Sequence, residues 1–415
     1  MTPVETTVRI SISPEGKSLE ALEAGIGQAL QEAGRRLLSE ACRAMEAELL
    51  ERQGDRLRRS KPRQLHLLTR FGWMRLTRWQ MRDAGGAYSC PLDGLLGLAP
   101  RQHASPWITN QAVALATRLP YRQATCLLSA WVQAPIDHRS LYRWVQATGA
   151  ALVAEEDELQ TAVFVDGQIP PRDDREREIV LAEVDGTFLR AQREEGPKFE
   201  VRLGVLTSGK ALESTTAKHR RYRLLERVRY GGVETAQSFA ERLFLAGEAQ
   251  LALSRARHLL LVGDGAEWIE ALAGHNRWRA TYQLDWWHLS QAFQRTFPDH
   301  PKLVHKLKQA LYRGQGHRIL PAVRLAQLNG VGDAERVQLL LGYLETNQTG
   351  FYGARTLRPH LSSQGRLVCV EGSGAVEKHM DLGVCRRFKG QGMRWTRAGS
   401  NRLLKLRLRE LDKAA

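Results

Sequence analysis

The chain has 415 residues, room for about two to four modules, and its 43% hydrophobic content can bury at least one sizeable core. Its 61 Lys and Arg outnumber 45 Asp and Glu, a formal net charge of +16, which points to a polyanionic partner because neutralising phosphates releases counterions and steers association. Five scattered cysteines (Cys42, Cys90, Cys126, Cys369 and Cys385), odd in number and never spaced as CxxC, signal neither a disulfide framework nor a zinc ribbon and fit a reducing, cytoplasmic compartment. The opening MTPVETTVRISIS has no basic stretch followed by an apolar one, and no run of about 18 apolar residues occurs, so neither export nor membrane insertion is expected.

From Ser18 to about Arg59 the pattern predicts a helix, with Leu19, Leu22, Ile26, Leu30, Leu37, Leu38, Met45 and Leu49 at helical spacing among Glu, Arg and Gln. Such an amphipathic arm either dimerises or packs on its own protein. Residues 64–80 form two β-rich runs around Phe71-Gly72, a predicted hairpin whose exposed face carries Arg70, Arg75 and Arg78 near Trp73 and Trp79. That face suits a DNA backbone, and equally a solvated edge. Residues 104–150 carry helical signals on both sides of a break at 133–137, the form of a helix-turn-helix or of a plain helical hairpin. In the first case Arg139, Ser140, Tyr142, Arg143 and Gln146 face a groove. Two prolines and clustered Asp, Arg and Glu make residues 153–176 a predicted linker.

Strands are predicted at 177–189, 199–206 and 221–230, joined by short turns as an antiparallel meander. A helix over 233–251, a strand at 258–263, a helix over 268–273, a strand at 279–285 and a further helix follow. The order β-β-β-α-β-α-β-α is that of an RNase H-like fold, a mixed sheet flanked by helices, so the fold class is α/β. Residues 291–360 hold only helical signals, broken at Gly314-Gln-Gly316 and Asn329-Gly330, and read as an all-α insertion. The resulting division is an N-terminal amphipathic helix (1–60), a β-hairpin region (61–100), a helix-turn-helix-like unit (101–152), a first part of the core (153–290), the insertion (291–360) and a last part of the core with a basic C-terminal helix (361–415).

Asp185 follows an apolar run and precedes Gly186, at a place where β-propensity disfavours Asp unless its charge is used. Asp264, also followed by Gly, stands at the carboxyl end of an apolar strand, where open α/β sheets place their sites. Asp-Gly is ordinary turn chemistry as well, but two such pairs at the ends of neighbouring central strands would face each other and repel. Divalent cations remove that conflict, since hard ions prefer oxygen ligands and two of them can clamp the attacking and leaving oxygens of a phosphodiester displacement. The pattern therefore calls for two Mg²⁺ or Mn²⁺ ions, with Asp185 bridging them. A third carboxylate comes from Glu377, in the first turn of a helix that Ser373 can cap, or from Glu371, Asp381 or Asp285. Arg386, Arg387, Lys389, Arg394 and Arg397 interleave with Phe388 and Trp395, as in a groove that tracks a nucleic-acid strand. His288 begins a helix near the presumed site, to touch a scissile phosphate or to serve as a hydrogen-bonded structural histidine.

Taken in order, Val184-Asp-Gly-Thr187, Gly263-Asp-Gly-Ala-Glu-Trp-Ile269, Leu284-Asp-Trp-Trp-His288, Gly372-Ser-Gly-Ala-Val-Glu377, Arg387-Phe-Lys-Gly-Gln-Gly-Met-Arg-Trp395 and Leu403-Leu-Lys-Leu-Arg407 resemble the bacterial insertion-sequence transposases of the ISLre/ISKra group, relatives of the Mutator-like DDE superfamily. The resemblance spans roughly 180–410, and the hairpin with Leu95-Leu-Gly-Leu-Ala-Pro100 is similar to the family's N-terminal region. It implies an RNase H-like core with a helical insertion ahead of the glutamate, and Asp185, Asp264 and Glu377 as ligands. It also implies double-stranded DNA partners, at element ends and target, bound by a homodimer or higher oligomer without membrane association, with strand cleavage and strand transfer as the activity. Many relatives carry further cysteines near the segment at Cys90-Pro91; here Cys90 stands alone, a departure from the pattern. A DNA-binding descendant that no longer cuts, or an RNase H-like nuclease, would share much of this sequence.

Overall fold

The computed structural model describes residues 18–53, 57–215, 220–275, 277–351, 373–390 and 392–413, and the chain divides into two compact units, 1–148 and 149–415. None of the described helices is long and apolar enough to cross a membrane.

In the first unit α1 (Leu19–Gln53) begins where the Ser18 hydroxyl accepts from the Ala21 amide (3.2 Å). It packs on a hairpin of β1 (Leu57–Thr69) and β2 (Gly72–Asp83), to which β3 (Tyr88–Ser89) adds a short edge. Leu65, Leu67, Met74 and Leu76 alternate inward onto Cys42, Leu92 and Leu98. The sequence pattern carries the helix to Arg59, but pairing that begins at Leu57↔Asp83 overrides the helical period there. Three helices follow, α2 (Pro91–Leu95), α3 (Pro106–Ala116) and α4 (Tyr121–Val132). Residues 133–137, entered by Gln133 in the left-handed region (φ 47°), lead into α5 (His138–Phe164). The expected linker at 153–176 is thus half helix: no proline precedes Pro170 and residues 151–162 are rich in Ala, Glu and Leu, so nothing stops α5 earlier.

The second unit is built on β4 (Ile179–Arg190), β5 (Lys198–Thr207), β6 (Gly209–Thr215), β7 (Arg220–Leu225), β8 (Val228–Gly232), α6 (Ala236–Leu251), β9 (His258–Gly263), α7 (Glu267–Ala273), β10 (Thr281–Leu284) and α8 (Trp286–Thr296). Five strands form one mixed sheet in the order β10-β9-β4-β5-β8, with β4, β9 and β10 mutually parallel and β5 and β8 antiparallel to their neighbours. The expected strand over 221–230 is in fact two. Glu226, at φ 46°, breaks the run, so β7 pairs with β6 as a separate hairpin and β8 alone enters the sheet.

The helical region contains α9 (Pro301–Tyr312), α10 (Ile319–Leu328) and α11 (Ala334–Thr346), whose Leu307, Val323, Val337, Leu340 and Leu344 join the main apolar core. Beyond it come α12 (Gly374–Met380), a π-helical turn over Asp381–Cys385, α13 (Arg386–Phe388) and α14 (Arg397–Lys413). The sheet is covered on both faces. A Cβ on Gly204, paired with Val184, would meet Leu243 of α6 at 2.6 Å, while one on Gly231, paired with Leu203, would meet Leu408 of α14 at 3.1 Å. Along β4 the side chains alternate, so Val180, Ala182 and Val184 share the α6 face with Phe239 and Leu243, and Glu183 and Asp185 share the other.

Glu183 is 1% exposed and fixes α12 to that second face. Its Oε2 accepts from the amides of Ala375 (2.7 Å) and Val376 (3.0 Å), and its Oε1 meets the buried ammonium of Lys210 on β6 at 2.7 Å. Removing one member of a buried ion pair leaves the other uncompensated, at a cost of roughly 3–5 kcal/mol. Glu183→Gln is therefore expected to lower the urea unfolding free energy by about that amount, and Glu183→Gln with Lys210→Met to recover most of the loss. A single-variant effect below about 1 kcal/mol would show that the pair does not hold α12.

Candidate active site

The parallel strands bring three acids to one level. The register pairs Glu183 with Val262, and Leu284 with Gly263. Continued by the strand geometry, it sets Asp185, Asp264 and Asp285 side by side on the face that α12 covers, on strands about 4.8 Å apart. The Asp285 amide donates to the Gly263 carbonyl (2.8 Å), which keeps β10 in step with β9 as far as the site.

Each aspartate is held differently. Asp185 accepts from its own neighbour's amide, Gly186, at 2.7 Å. Asp264 accepts from the Ala266 amide (3.1 Å), and its backbone carbonyl takes the Tyr343 hydroxyl of α11 (2.6 Å). The turn between them requires glycine. Gly265 has φ +93°, and a Cβ there would lie 2.8 Å from Asn347 and 2.9 Å from Tyr343. The helical region thus buttresses the site, which its composition did not announce. Asp285, 1% exposed, caps α8 through the Trp287 amide (2.7 Å), and its Oδ2 accepts from His288 Nδ1 (2.9 Å), the Ser373 amide (3.2 Å) and the Ser373 hydroxyl.

Glu377 comes from the first turn of α12, and its Oε1 lies 3.7 Å from His288 Nε2. Ser373 does not cap α12 as its sequence position suggests. Its hydroxyl is turned to Asp285, and Glu183, a residue the sequence reading passed over, meets the free amides instead. Glu371 lies outside the described residues, and Asp381 pairs with Arg386 (2.8 Å).

The electrostatics follow from this crowding. Burial, then the charges of Asp264 and Glu377, push the Asp185 carboxyl up to about 6 against the pull of the Gly186 amide and His288. Burial and the acids Asp285 and Glu183 likewise raise Glu377, with His288 opposing. Burial alone would raise Asp285 too, but hydrogen bonds from His288, Ser373 and the Trp287 amide outweigh it and hold it below the usual range. The Asp285 bond raises His288. Among the described residues, the acids and histidines whose donor atoms all come within 4.8 Å of one another are Asp285, His288 and Glu377. Asp185 and Asp264 stand beside that group and are coupled to it through their charge.

The basic residues expected on a nucleic-acid surface divide. Arg394 and Arg397 are exposed, as is Lys389, which donates to the Thr187 hydroxyl two residues past Asp185. Arg387 is a correction: it is 2% exposed, with its guanidinium 5.2 Å from the Trp395 ring and 5.8 Å from Phe388, so it belongs to the interior. Trp395 is engaged in the same stack and donates its indole N–H to the Phe388 carbonyl (2.9 Å). In the first unit Arg139 and Arg143 are exposed beside Ser140, which accepts from Arg143 (3.0 Å), whereas Gln146 is buried and bonded to the Tyr121 hydroxyl (3.3 Å).

Fold and site together define a mixed α/β protein with a cluster of acids and one histidine at the carboxyl edge of its parallel strands. Residues 12–414 match the family described as Uncharacterised protein family (UPF0236), and the chain belongs to that family. A UPF0236 protein in vanSb 3'region of Streptococcus gallolyticus is 26% identical over 197 residues, 46% of this chain and 40% of that protein, so the match spans less than half of the relative's length. Among solved structures, the Drosophila P element transposase strand transfer complex is similar at a TM-score of 0.36 and 12% identity, over 75% of this chain and 93% of that one.

An acid whose pKa is raised on folding binds its proton more tightly in the folded state, so its charge penalises folding above the folded pKa and not below the unfolded one. For Asp185 the penalty is full above about 6 and gone below its ordinary 3.8. Asp185→Asn keeps the shape and the acceptor for the Gly186 amide. In EDTA at pH 8 it is expected to stabilise the protein by on the order of 2–3 kcal/mol, a gain that fades as the pH falls from 6 to 4. Urea melts at several pH values measure this, and a variant less stable than wild type at pH 8 refutes the crowding of acids described here.

Proposed function

We propose that the chain is a DDE-type DNA transposase of an insertion sequence, allied to the ISLre/ISKra group, with an RNase H-like catalytic unit. The observation that carries this reading is the parallel register that sets Asp185 and Asp264, 79 residues apart, on neighbouring strands of one sheet, with Glu377, a further 113 residues on, near enough for its charge to act on Asp185. The strand order supports it, since an antiparallel meander followed by two strands parallel to its first member is the RNase H-like layout.

Asp185, Asp264 and Glu377 are the residues that would hold divalent ions, and they fit the task. Oδ2 of Asp185, Oδ2 of Asp264 and both oxygens of Glu377 receive no hydrogen bond among the described residues, and hard cations take such oxygens. When bound, Mg²⁺ or Mn²⁺ would make water or a 3′-hydroxyl a stronger nucleophile and take up charge on the phosphate oxygens. Asp285 orients His288 through Nδ1, which leaves Nε2 facing the carboxylates, within reach of a phosphate placed among them. Lys389, next to Thr187, and the exposed Arg394 and Arg397 supply positive charge for the DNA backbone.

Recognition of terminal inverted repeats falls to the first unit. Arg139, Ser140 and Arg143 lie at the start of α5, and the hairpin exposes Arg58, Arg59, Lys61, Arg63 and Arg75. Self-association on DNA is supported by α1, where Leu19, Ile26, Leu30 and Leu37 are exposed at alternating spacings of seven and four residues, a seam for a second copy.

The test is strand cleavage and joining on duplexes carrying the sequences that flank the coding region, with Mg²⁺ or Mn²⁺. Wild type is expected to nick at the repeat ends and join them to a target, and Asp185→Asn, Asp264→Asn and Glu377→Gln to lose at least about a hundredfold in rate while still binding the duplex. Binding without cleavage by wild type would make this a DNA-binding descendant, and cleavage without joining or end preference a nuclease; either overturns the proposal.

A further inference from the structure

A cleft of about 590 Å³ opens beside the acids, walled by the β6-β7 hairpin on one side and α12 on the other. Asp285 and Glu377 line it at one end. Trp287, which follows Asp285 at the start of α8, stands in it with 52% of its surface exposed, edge-on to the His288 ring (centroids 4.9 Å apart, 86° between planes). An indole left open in this way has one face for a flat partner.

The rest of the lining is polar in a specific manner. His379 is only 4% exposed, yet its Nδ1 is buried with no hydrogen-bond partner among the described residues. Such a nitrogen is costly to leave unmet unless something visits it. An imidazole nitrogen so placed is available for one hydrogen bond with a partner that enters the cleft. Arg227 also lines the cleft, with a buried Nε that has no partner among the described residues, and Arg223 and Lys378 add two further positive charges.

A stacking ring, a hydrogen-bonding ring and a rim of guanidinium and ammonium groups are what an unpaired nucleotide needs: a π-face for its base, a partner for its base edge and cations for its phosphates. We propose that this cleft takes one unpaired nucleotide of the DNA strand next to the scissile phosphate, its base stacked on Trp287 and its edge on His379, its phosphates on Arg223, Arg227 and Lys378. The proposal rests on the DNA-cutting reading above. The base is drawn from the helix into the cleft, and the adjoining phosphate is thereby brought to the edge where Asp185, Asp264 and Glu377 meet. The pull on the strand comes from stacking and phosphate contact, without sequence readout beyond the one hydrogen bond.

The experiment uses the full chain and end duplexes with 2-aminopurine placed in turn at each of the positions flanking the cleavage point. In the presence of Ca²⁺, wild type is expected to change the probe's emission at one position only, where the base leaves its neighbours and meets the indole. Trp287→Ala should abolish that change and slow cleavage about ten- to a hundredfold, and Trp287→Phe should restore most of both. An abasic site at the same position should rescue cleavage by Trp287→Ala, because the unstacking step is then removed, a result that general misfolding cannot produce. His379→Phe, which keeps the ring and removes its nitrogens, should weaken the response without shifting its position. If wild type cleaves the ends and Trp287→Ala cleaves them equally well, with the emission change intact, the cleft proposal falls and the catalytic reading stands. If wild type neither cleaves nor alters the probe at any position, both fall.

Discussion

Glu183 is a carboxylate in the middle of a sheet, and a charge so placed is tolerated only if donors surround it. Its donors come from two other parts of the chain, the first free amides of α12 and the ammonium of Lys210 on β6. The satisfaction is mutual, since the opening amides of a helix have no partner within it. One side chain therefore pins β4, α12 and the β6-β7 hairpin together. The place of Glu377 follows from it, because Glu377 lies in the first turn of the helix that Glu183 holds. The cleft between hairpin and helix depends on the same pin, as does the burial of His379 in its wall.

Around this fixed point the second unit gathers charge of one sign where the chain as a whole carries the other. Asp185 and Asp264 stand on adjacent parallel strands, and Glu377 is added from above. The counter-charges in reach are modest: one backbone amide for each aspartate and a histidine already engaged with Asp285. Burial first, and then the charges of Asp264 and Glu377, raise the Asp185 carboxyl despite them. Basic side chains lie outside this cluster, on Lys389, Arg394 and Arg397 and along the cleft, and do not neutralise it. Negative at the centre and positive at the rim is the distribution that suits small cations within a bound polyanion.

Much of this was legible in the sequence where the signal is local. β9 is an uninterrupted apolar run bounded by His258 and Gly263, and α6 has a Thr235 cap and a clear helical period, so both stand where the pattern puts them. Asp264-Gly265 marked a strand end for a reason the structure makes plain at Gly265, whose φ and close neighbours admit no side chain, whereas Asp185-Gly186 lies inside β4, which runs on to Arg190. What was not legible depends on partners far along the chain. Glu183 reads as a polar interruption of a strand until Ala375 and Val376 are placed over it. Ser373 has the position of a cap and loses the role to an acid 190 residues away. Arg387 is indistinguishable in a basic run from Arg386, yet one folds under two aromatic rings and the other stays at the surface. The break between β7 and β8 turns on the backbone of one residue, Glu226, in a stretch that β-propensity reads as continuous.

Asp285 and Glu377 lie in the same cluster with His288 but differ in their hydrogen bonds. A carboxylate offers about four lone-pair directions. Asp285 has four donors on it: the Trp287 amide on one oxygen, and His288, the Ser373 amide and the Ser373 hydroxyl on the other. Those bonds cap α8, orient His288 and anchor the start of α12, and they leave one direction open on the oxygen that takes only the Trp287 amide. Glu377 has no such commitments among the described residues. Its nearest cationic neighbour among the described residues, His288 Nε2, lies at 3.7 Å, beyond hydrogen-bonding distance, and its side chain is 43% exposed. Asp285 thus carries more of the bonds that hold this corner of the structure together, and Glu377 fewer.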